Sequence, residues 1–356
     1  MKQIFGVNGF RGAAFFVTLF CVALLLVRTS GANTNTWDGS FSTNWTRKQN
    51  WGNNTLSAAD SIVFAGSTRT TNNNDEPTDF NIAGITFDAT AGAFVLNGAR
   101  IALSGAINNY SVNTQTINLN LLLTNSSQIF NTQSGSLIIN GVISGATPLI
   151  GIIKNGSQQL TLNGANTYSG GTLVNAGTLN YSTNSALGSG SVSLGNGTYL
   201  TYTSSRSATL SNSITVTNGT ATIRNTGGAI LTLAGSLSLS GSILQFLGGT
   251  YNVTGQISGS SANSDLIISG AMVTLAGSNT YSGPTYLTNG STLNANVAGA
   301  ASSAIRSALT ISSNSTFHLG SSQAIASLSG APGSAVTLGS STLTVGSSGG
   351  SATYGG

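Results

Sequence analysis

From Ser61 onward, short runs of β-forming residues alternate with clusters of glycine, asparagine and serine. Most runs alternate apolar and polar positions with a period of two, as in Ser61–Ala65 and Ile117–Leu123. This pattern is typical of half-buried β-strands, and the Asn-Gly, Ser-Gly and Gly-Gly pairs between the runs are typical of tight turns. No ten-residue window combines a helical period with good helix formers. The pattern therefore predicts an all-β fold of many short strands.

One phrase of this pattern occurs twice. Residues 160–177 read LTLNGANTYSGGTLVNAG, and residues 273–290, which lie 113 positions later, read VTLAGSNTYSGPTYLTNG, with ten of the eighteen positions identical. The strand pattern alone fits either an antiparallel sandwich or barrel, or a β-solenoid, and the repeat favours the solenoid.

The spacing of the two copies also predicts the size of one coil. An offset of 113 residues divides into about five coils of roughly 22 residues. We expect each strand to pair with its equivalent one turn away, with Leu, Val and Ile stacked inside and Asn and Thr hydrogen-bonding along the stack. A compact sandwich with Thr161 and Thr274 on unrelated sheets would contradict this interpretation.

The repeated phrase also resembles a known family. The stretch 156–180 is similar to the autotransporter-associated β-strand repeat, also called the passenger-associated transport repeat, and 273–294 resembles it with Pro284 where the first copy has Gly171. The resemblance implies a right-handed parallel β-helix in a large, exported bacterial surface protein. The turn residues of the motif are expected to be structural, and they are Asn166, Tyr168, Gly170, Asn279, Tyr281 and Gly283.

A complete autotransporter is expected to end in a membrane-inserted β-barrel. No stretch here has the length and alternation of such a barrel, and no polar capping repeat precedes Gly356. We therefore expect the solenoid of residues 61–356 to continue in a longer protein. The alternative is a related secreted protein that is anchored differently, so any membrane contact would come from a missing anchor or barrel.

The N-terminus has the pattern of a secretory signal peptide. Lys2 and Arg11 precede the apolar run Ala13–Val27, and Ser30-Gly31-Ala32 offers small residues for cleavage. Residues 1–32 are therefore predicted to be removed, with an uncleaved anchor as the alternative. We expect export through the general secretory route to the cell surface or medium, with outer-membrane association as a further option.

The chain carries unusually little charge, since only 5% of its residues are charged. Without residues 1–32, eight basic residues face seven acidic ones, and the single cysteine is gone. The only adjacent basic pair in that part is Arg47-Lys48, whereas nucleic-acid binding requires clustered cations. The sequence therefore excludes nucleic acid as a partner and disulfides as a source of stability.

Trp37, Trp45 and Trp51 fall within fifteen residues, in the predicted N-terminal segment 33–60. Indole faces suit sugar rings, so the three tryptophans are the first candidates for a ligand contact. The favoured alternative is a cap, in which the large rings close the first coil. The WDG…NW…NW opening resembles the start of other proteins that carry this repeat, which also fits a cap.

Residues that could support catalysis or bind a metal are scarce. Asp75, Glu76 and Asp79 form the single acidic cluster, and Pro77 within it favours a solvated turn over a calcium loop. After Ala89 the only carboxylate is Asp265. His318 is the only histidine, so no triad or multi-histidine metal site can be built around two imidazoles. We therefore predict no enzyme activity and no cofactor.

These observations predict an exported, passenger-type β-helical stalk that serves presentation, adhesion or self-association. Its predicted partners are surface glycans or like chains. The alternative function is a glycan-binding or polysaccharide-cleaving domain on the same scaffold, which would need a carboxylate-rich cleft.

Overall fold

The computed structural model describes residues 32–297, 305–346 and 352–355 of the chain. These residues form 37 β-strands and one short 3-10 helix, Lys48–Trp51, which confirms the all-β prediction. Within the same ranges, no helix has the length and apolar character needed to cross a bilayer. The predicted signal peptide falls outside the described residues except for its last residue, Ala32.

The strands are short because glycine, asparagine and serine interrupt the β-forming runs every few residues. Strands β1 to β12 are Thr34–Trp37, Asp60–Phe64, Thr71–Asn74, Phe80–Phe87, Val95–Gly98, Ile101–Leu103, Ile107–Asn109, Gln115–Ile117, Leu121–Leu123, Ser127–Thr132, Leu137–Ile139 and Ile143–Gly145. Strands β13 to β25 are Gly151–Asn155, Gln159–Leu162, Thr172–Val174, Thr178–Tyr181, Val192–Leu194, Thr198–Tyr202, Ala208–Leu210, Ile214–Val216, Thr220–Asn225, Ile230–Leu233, Leu237–Ser238, Ile243–Leu247 and Thr250–Val253. Strands β26 to β37 are Ile257–Ser258, Leu266–Ser269, Met272–Leu275, Thr285–Thr288, Thr292–Ala295, Ala308–Ile311, Thr316–Leu319, Gln323–Ile325, Ser327–Gly330, Ala335–Thr337, Leu343–Val345 and Ala352–Tyr354.

The strands form three long sheets and one two-stranded sheet, and every described pair is parallel, as for example β14 with β16 and β22 with β25. Sheet 1 runs in the order β12-β9-β6-β4-β7-β10-β13-β15-β17-β20-β23-β26, with β2 and β1 attached through β4. Sheet 2 has fourteen strands from β3 to β37, sheet 3 has seven from β19 to β35, and sheet 4 pairs β33 with β36. Each strand pairs with a strand about one turn further along the chain, as Leu160 does with Leu179 and Leu231 with Tyr251, so the fold is a β-solenoid, as predicted. Its right-handedness stays a prediction.

The register along sheet 2 gives the length of each coil. Inward residues of successive strands pair in the order Leu160, Leu179, Leu200, Ile223 and Phe246. The steps between them lengthen slightly along the chain, and all lie close to the predicted coil of roughly 22 residues. Since neighbouring strands lie about 4.8 Å apart, fourteen strands span about 60 Å along the axis.

The core is a continuous apolar column inside the coils. The five inward residues just named are fully buried, and so are most of their counterparts on the other sheets. Burying one such side chain is worth about 1.5–3 kcal/mol, and each is in contact with the coils before and after it. The core therefore stabilises the chain coil by coil instead of around one centre.

The two copies of the repeat do not occupy the same face. Five coils lead from Leu160 to Ile268, whereas the counterpart of Leu160 in the second copy is Val273, which lies further along the chain. Thr161 therefore lies in β14 of sheet 2, whereas Thr274 lies in β28 of sheet 3. The predicted coil length holds. The two copies are not five whole coils apart, however, because the few residues between Ile268 and Val273 carry the chain to the next face.

Candidate functional site

The three tryptophans pack together at the N-terminal end of the solenoid. The rings of Trp37 and Trp51 meet edge to face at 5.0 Å, and those of Trp45 and Trp51 at 6.0 Å. All three also lie about 6 Å from the ring of Phe64, which stacks on Phe87 in the next coil. This aromatic cluster closes the apolar column at the first coil.

The indole nitrogens of the cluster are all used. Trp51 Nε1 donates to the carbonyl of Trp45 at 2.7 Å, Trp45 Nε1 donates to Asn72 Oδ1 at 2.9 Å, and Trp37 Nε1 donates to a backbone carbonyl. The three side chains are at most 1% exposed. Stacking on a sugar requires a ring face that solvent can reach, and none of the three has one. The burial fits the cap and does not fit a ligand contact at Trp37, Trp45 or Trp51.

A buried carboxylate fastens the same end of the chain. Asp60 begins β2 and accepts hydrogen bonds from the backbone N–H of Asn33 and of Ser57, and from the side-chain amide of Asn35, at 2.8–2.9 Å. It is 2% exposed, so the three donors replace the water that a buried carboxylate loses. Asp60 therefore fastens the start of the chain to β2.

The acidic cluster of residues 75–79 is divided among separate contacts. Asp79 pairs with Arg100 at 2.6 Å, and the hydrogen bond from that guanidinium lowers the pKa of the Asp79 carboxyl. Asp75 accepts from the backbone and hydroxyl of Thr46, while partial burial, with the charge of Asp75, raises the pKa of Glu76. Among the described residues, no group of three or more metal-binding side chains is assembled. The calcium site considered from the sequence has no geometric support.

The repeated Asn-Thr-Tyr-Ser-Gly segments, residues 166–170 and 279–283, interrupt a sheet. Sheet 1 covers two faces of the solenoid, because β4 pairs with β6 through its first half and with β7 through its second half. Its terminal strands β12 and β26 therefore lie on different faces, and one segment follows each of them in the stack. In the first, Asn166 Oδ1 accepts from Ile143 N at 2.7 Å; in the second, Asn279 Oδ1 accepts from Ile257 N at 2.8 Å. A side-chain amide thus satisfies a backbone N–H where the next strand would have done so.

The tyrosine and glycine of each segment complete the turn. The hydroxyl of Tyr168 lies 2.7 Å from Thr172 Oγ1, and that of Tyr281 lies 2.7 Å from Thr285 Oγ1. Both rings are buried, and burial raises the pKa of each phenol. At Gly170 a Cβ would lie 2.4 Å from the backbone nitrogen of Gly151, so only glycine fits. These residues build the fold, and none of them presents a group to solvent for a ligand.

A ladder of asparagines runs along the outer edge of sheet 2. Asn118 donates to Asn97 at 2.7 Å, Asn140 to Asn118 at 2.7 Å, and Asn163 to Asn140 at 2.8 Å, all through their side-chain amides. Ser182 extends the ladder by one coil with a hydrogen bond to Asn163. The predicted hydrogen bonding along the stack is present, and it leaves a neutral, polar surface.

Lys154 is a residue whose role the sequence did not reveal. It occupies an inward position between Phe130 and Val174 and is fully buried without a carboxylate partner. Its ammonium donates to the carbonyls of Asn155, Gly156 and Ala176 at 2.7–2.9 Å. Burial lowers the pKa of Lys154 to about 8. Only its position in the strand alternation, on the inward side, could have indicated this burial.

His318 lies on the outside of β32. Its register partners are Asn294 and Thr337, and its side chain is exposed. No carboxylate or second imidazole pairs with it in the register. The structure therefore brings no catalytic group to this histidine.

Comparisons with known proteins agree with this architecture. The family model "Passenger-associated-transport-repeat" matches residues 152–180 and 270–295, the two regions that contain the sheet-interrupting segments. The curated protein "Adhesin BmaC autotransporter" of Brucella suis biovar 1 is 32% identical over 218 residues. That match covers 60% of this chain and 5% of the adhesin, so the chain spans a small fraction of the relative's length. No solved structure matches the chain.

The family match and the structure point to the same residues. Each matched region contains one Asn-Thr-Tyr-Ser-Gly segment and the strands on both sides of it. The chain therefore carries the passenger-associated-transport repeat, in two copies that both belong to its parallel β-solenoid, as the sequence predicted.

Proposed function

We propose that this chain is a passenger-type segment of an exported surface protein, and that its solenoid presents polar, uncharged faces for adhesion. The observation that carries the proposal is the parallel stack itself, with fourteen successive strands in sheet 2 and a hydrogen-bonded amide ladder along its edge. A rigid stack of this kind holds an interaction surface tens of ångströms long. The likeness to a protein named as an autotransporter adhesin supports the same role.

The adhesive surface is formed by the outward side chains of the strands and not by a cleft. Outward positions of the strands are mostly Asn, Ser and Thr, and after Arg100 the chain has four basic residues and one acidic residue. Adhesion through such faces would combine many weak polar contacts, each modest by itself but additive when molecules are arrayed on a cell. Surface glycans and further copies of the chain are the partners that fit this chemistry.

Surface display and adhesion are tested together in the producing bacterium. Antibodies against the chain should label intact cells, and external protease should remove that label. A deletion strain should attach less to glycan-coated surfaces and regain attachment when the chain is restored. Restoration with Trp45→Ala, which damages the cap but keeps every outward residue, should work less well. Absence of label on intact cells would overturn the proposal, and unchanged attachment of the deletion strain would overturn its adhesive part.

We further propose that the segment is not an enzyme. The alternative, cleavage of polysaccharides, would need paired carboxylates, whereas Asp265 is the only carboxylate after Ala89 and the earlier acidic residues Asp60 and Asp79 are engaged in structural contacts. Incubation of the purified chain with pectin and other acidic glycans should release no reducing ends. Sustained release would contradict this proposal.

A further inference from the structure

An arginine on the outward face of sheet 2 stands out because it has an aromatic neighbour and no ionic partner. Arg224 lies in β21, and its guanidinium carbon sits 5.3 Å from the ring centre of Tyr199 in the preceding coil. Tyr199 is 37% exposed, which is high for a tyrosine within a strand of this stack. Arg224 makes no hydrogen bond or ion pair with any described residue. The pair is therefore held together by the cation–π contact alone.

Two polar atoms at this place are buried without a partner. Thr201, the register partner of Arg224, is 2% exposed, and its hydroxyl makes no hydrogen bond. The Nε of Arg224 is also buried and unpaired. An exposed cation–π contact is worth less than the cost of leaving two buried polar groups unsatisfied. The arrangement is thus poor as a purely structural contact.

The surroundings select the charge of that ligand. The only acidic residue after Arg100 is Asp265, which lies two strands further along sheet 2 and four residues from the position level with Arg224. That separation is roughly 16 Å at standard strand spacings, beyond the range of strong interaction in salt solution. No carboxylate on this face therefore competes for the guanidinium, which leaves it available for an external anion.

We propose that Arg224 and Tyr199 form a binding site for the carboxylate groups of an acidic polysaccharide. The terminal nitrogens of Arg224 donate to the carboxylate, and the exposed part of the Tyr199 ring contacts the apolar face of the sugar. This inference rests on the proposed surface function, because the polymer must reach the outward face of sheet 2. It goes further by naming the ligand class and the residues.

Binding of the full chain to immobilised polygalacturonate tests the site. We expect salt-sensitive binding by the wild-type chain and at least a tenfold weaker affinity for Arg224→Gln. Tyr199→Ala should also bind more weakly, and Arg224→Lys should restore only part of the affinity because an ammonium lacks the planar fork. Arg206→Gln, which removes an exposed arginine from the loop after β18, is the matched control and should stay within twofold of wild type. Each variant is first shown to have the wild-type circular dichroism spectrum.

Two further points are tested separately: whether the carboxylate must belong to a glycan, and whether Arg224 forms the site. Neutral dextran should not bind, and poly-glutamate should bind at least tenfold more weakly than polygalacturonate. Equal binding of poly-glutamate would overturn the assignment to a glycan, and wild-type affinity in Arg224→Gln would overturn the site. Either result leaves labelling of intact cells unaffected, so failure of this inference is distinguishable from failure of the surface function.

Discussion

The two copies of the repeat are the same device on two different faces. In both, a side-chain amide oxygen accepts a hydrogen bond from a backbone N–H of a terminal strand. Asn166 accepts from Ile143 at 2.7 Å, and Asn279 accepts from Ile257 at 2.8 Å. Yet the first copy runs from sheet 2 to sheet 1, whereas the second runs from sheet 3 to sheet 2. The motif therefore specifies a local interruption of the hydrogen bonding between strands, on whichever face the coil has reached.

The copies differ in what surrounds them. The inward residue before the first copy is Lys154, and the residue in the same register before the second is Ile268. The turn glycine of the first copy faces only backbone atoms, whereas Gly283 also faces the carboxylate of Asp265. Matched substitutions in the two copies can therefore separate the stability that the motif itself provides from the stability that the surrounding residues provide.

The largest expected effect is from removal of the asparagine amide. Asn166→Ala leaves the N–H of Ile143 and the carbonyl of Ala186 without their partner inside the protein, and should destabilise the surrounding coils by about 3 kcal/mol. Asn279→Ala should have a similar effect around Ile257. Hydrogen exchange followed by mass spectrometry should show the loss of protection confined to the coils next to each copy. Equal loss along the whole chain would contradict the local role.

The turn glycines should show the next largest effect. A methyl group at residue 170 would overlap the backbone of residues 150 and 151, so Gly170→Ala should cost about 2–3 kcal/mol. Gly283→Ala meets the backbone of Ser264 as well as the movable Asp265 side chain, and should cost somewhat less. Urea unfolding followed by circular dichroism measures both. A larger cost at residue 283 would show that the carboxylate cannot move aside.

Lys154 should make the first copy sensitive to pH. Its pKa is lowered to about 8 by burial, so between pH 8 and 10.5 the unfolded chain keeps a proton that the folded chain has released. Stability therefore rises with pH in this window, by about 2 kcal/mol between pH 7 and 9.5. Urea unfolding at several pH values checks this, and exchange in the coils near Lys154 should slow beyond the intrinsic pH effect. Lys154→Met is the control, and persistence of the rise in that variant would assign it to another group.

The smallest effect is expected at the tyrosine hydroxyls. Tyr168→Phe and Tyr281→Phe each remove one buried hydrogen bond to a threonine and should cost about 1 kcal/mol. The pKa of both phenols is raised by burial, so above pH 10 the unfolded chain ionises first and stability falls. Each phenylalanine variant should reduce that fall, as measured by thermal unfolding at pH 10 and 11. No change in either copy would indicate that water replaces the lost contact.

Much of the fold could be predicted from the sequence because each rule involved is local. The period-two runs give the strands, the Gly- and Asn-rich turns give the coil length, and the repeat gives the parallel stack. The face on which each copy lies depends on coil lengths, which differ from one coil to the next between Leu160 and Phe246, and no local pattern fixes that variation. The alignment of the two copies was missed for this reason.

The same limit applies to the candidate sites. Trp37, Trp45 and Trp51 are close in sequence, so their clustering could be predicted, and whether they were exposed depended on residues such as Phe64 in later coils. Tyr199 and Arg224 lie in neighbouring coils and meet only because the register places Arg224 level with the next outward residue after Tyr199. Contacts between coils become visible once the register is known.

The one-face displacement between the two copies bears on how such a chain can lengthen. A tandem duplication of this length does not repeat the sheet interruption on the same face; it places the copied interruption on the neighbouring face of the solenoid. A third copy at the same interval would fall on the side that the first two leave unbroken, so lengthening by this unit would place the sheet breaks along a spiral around the axis.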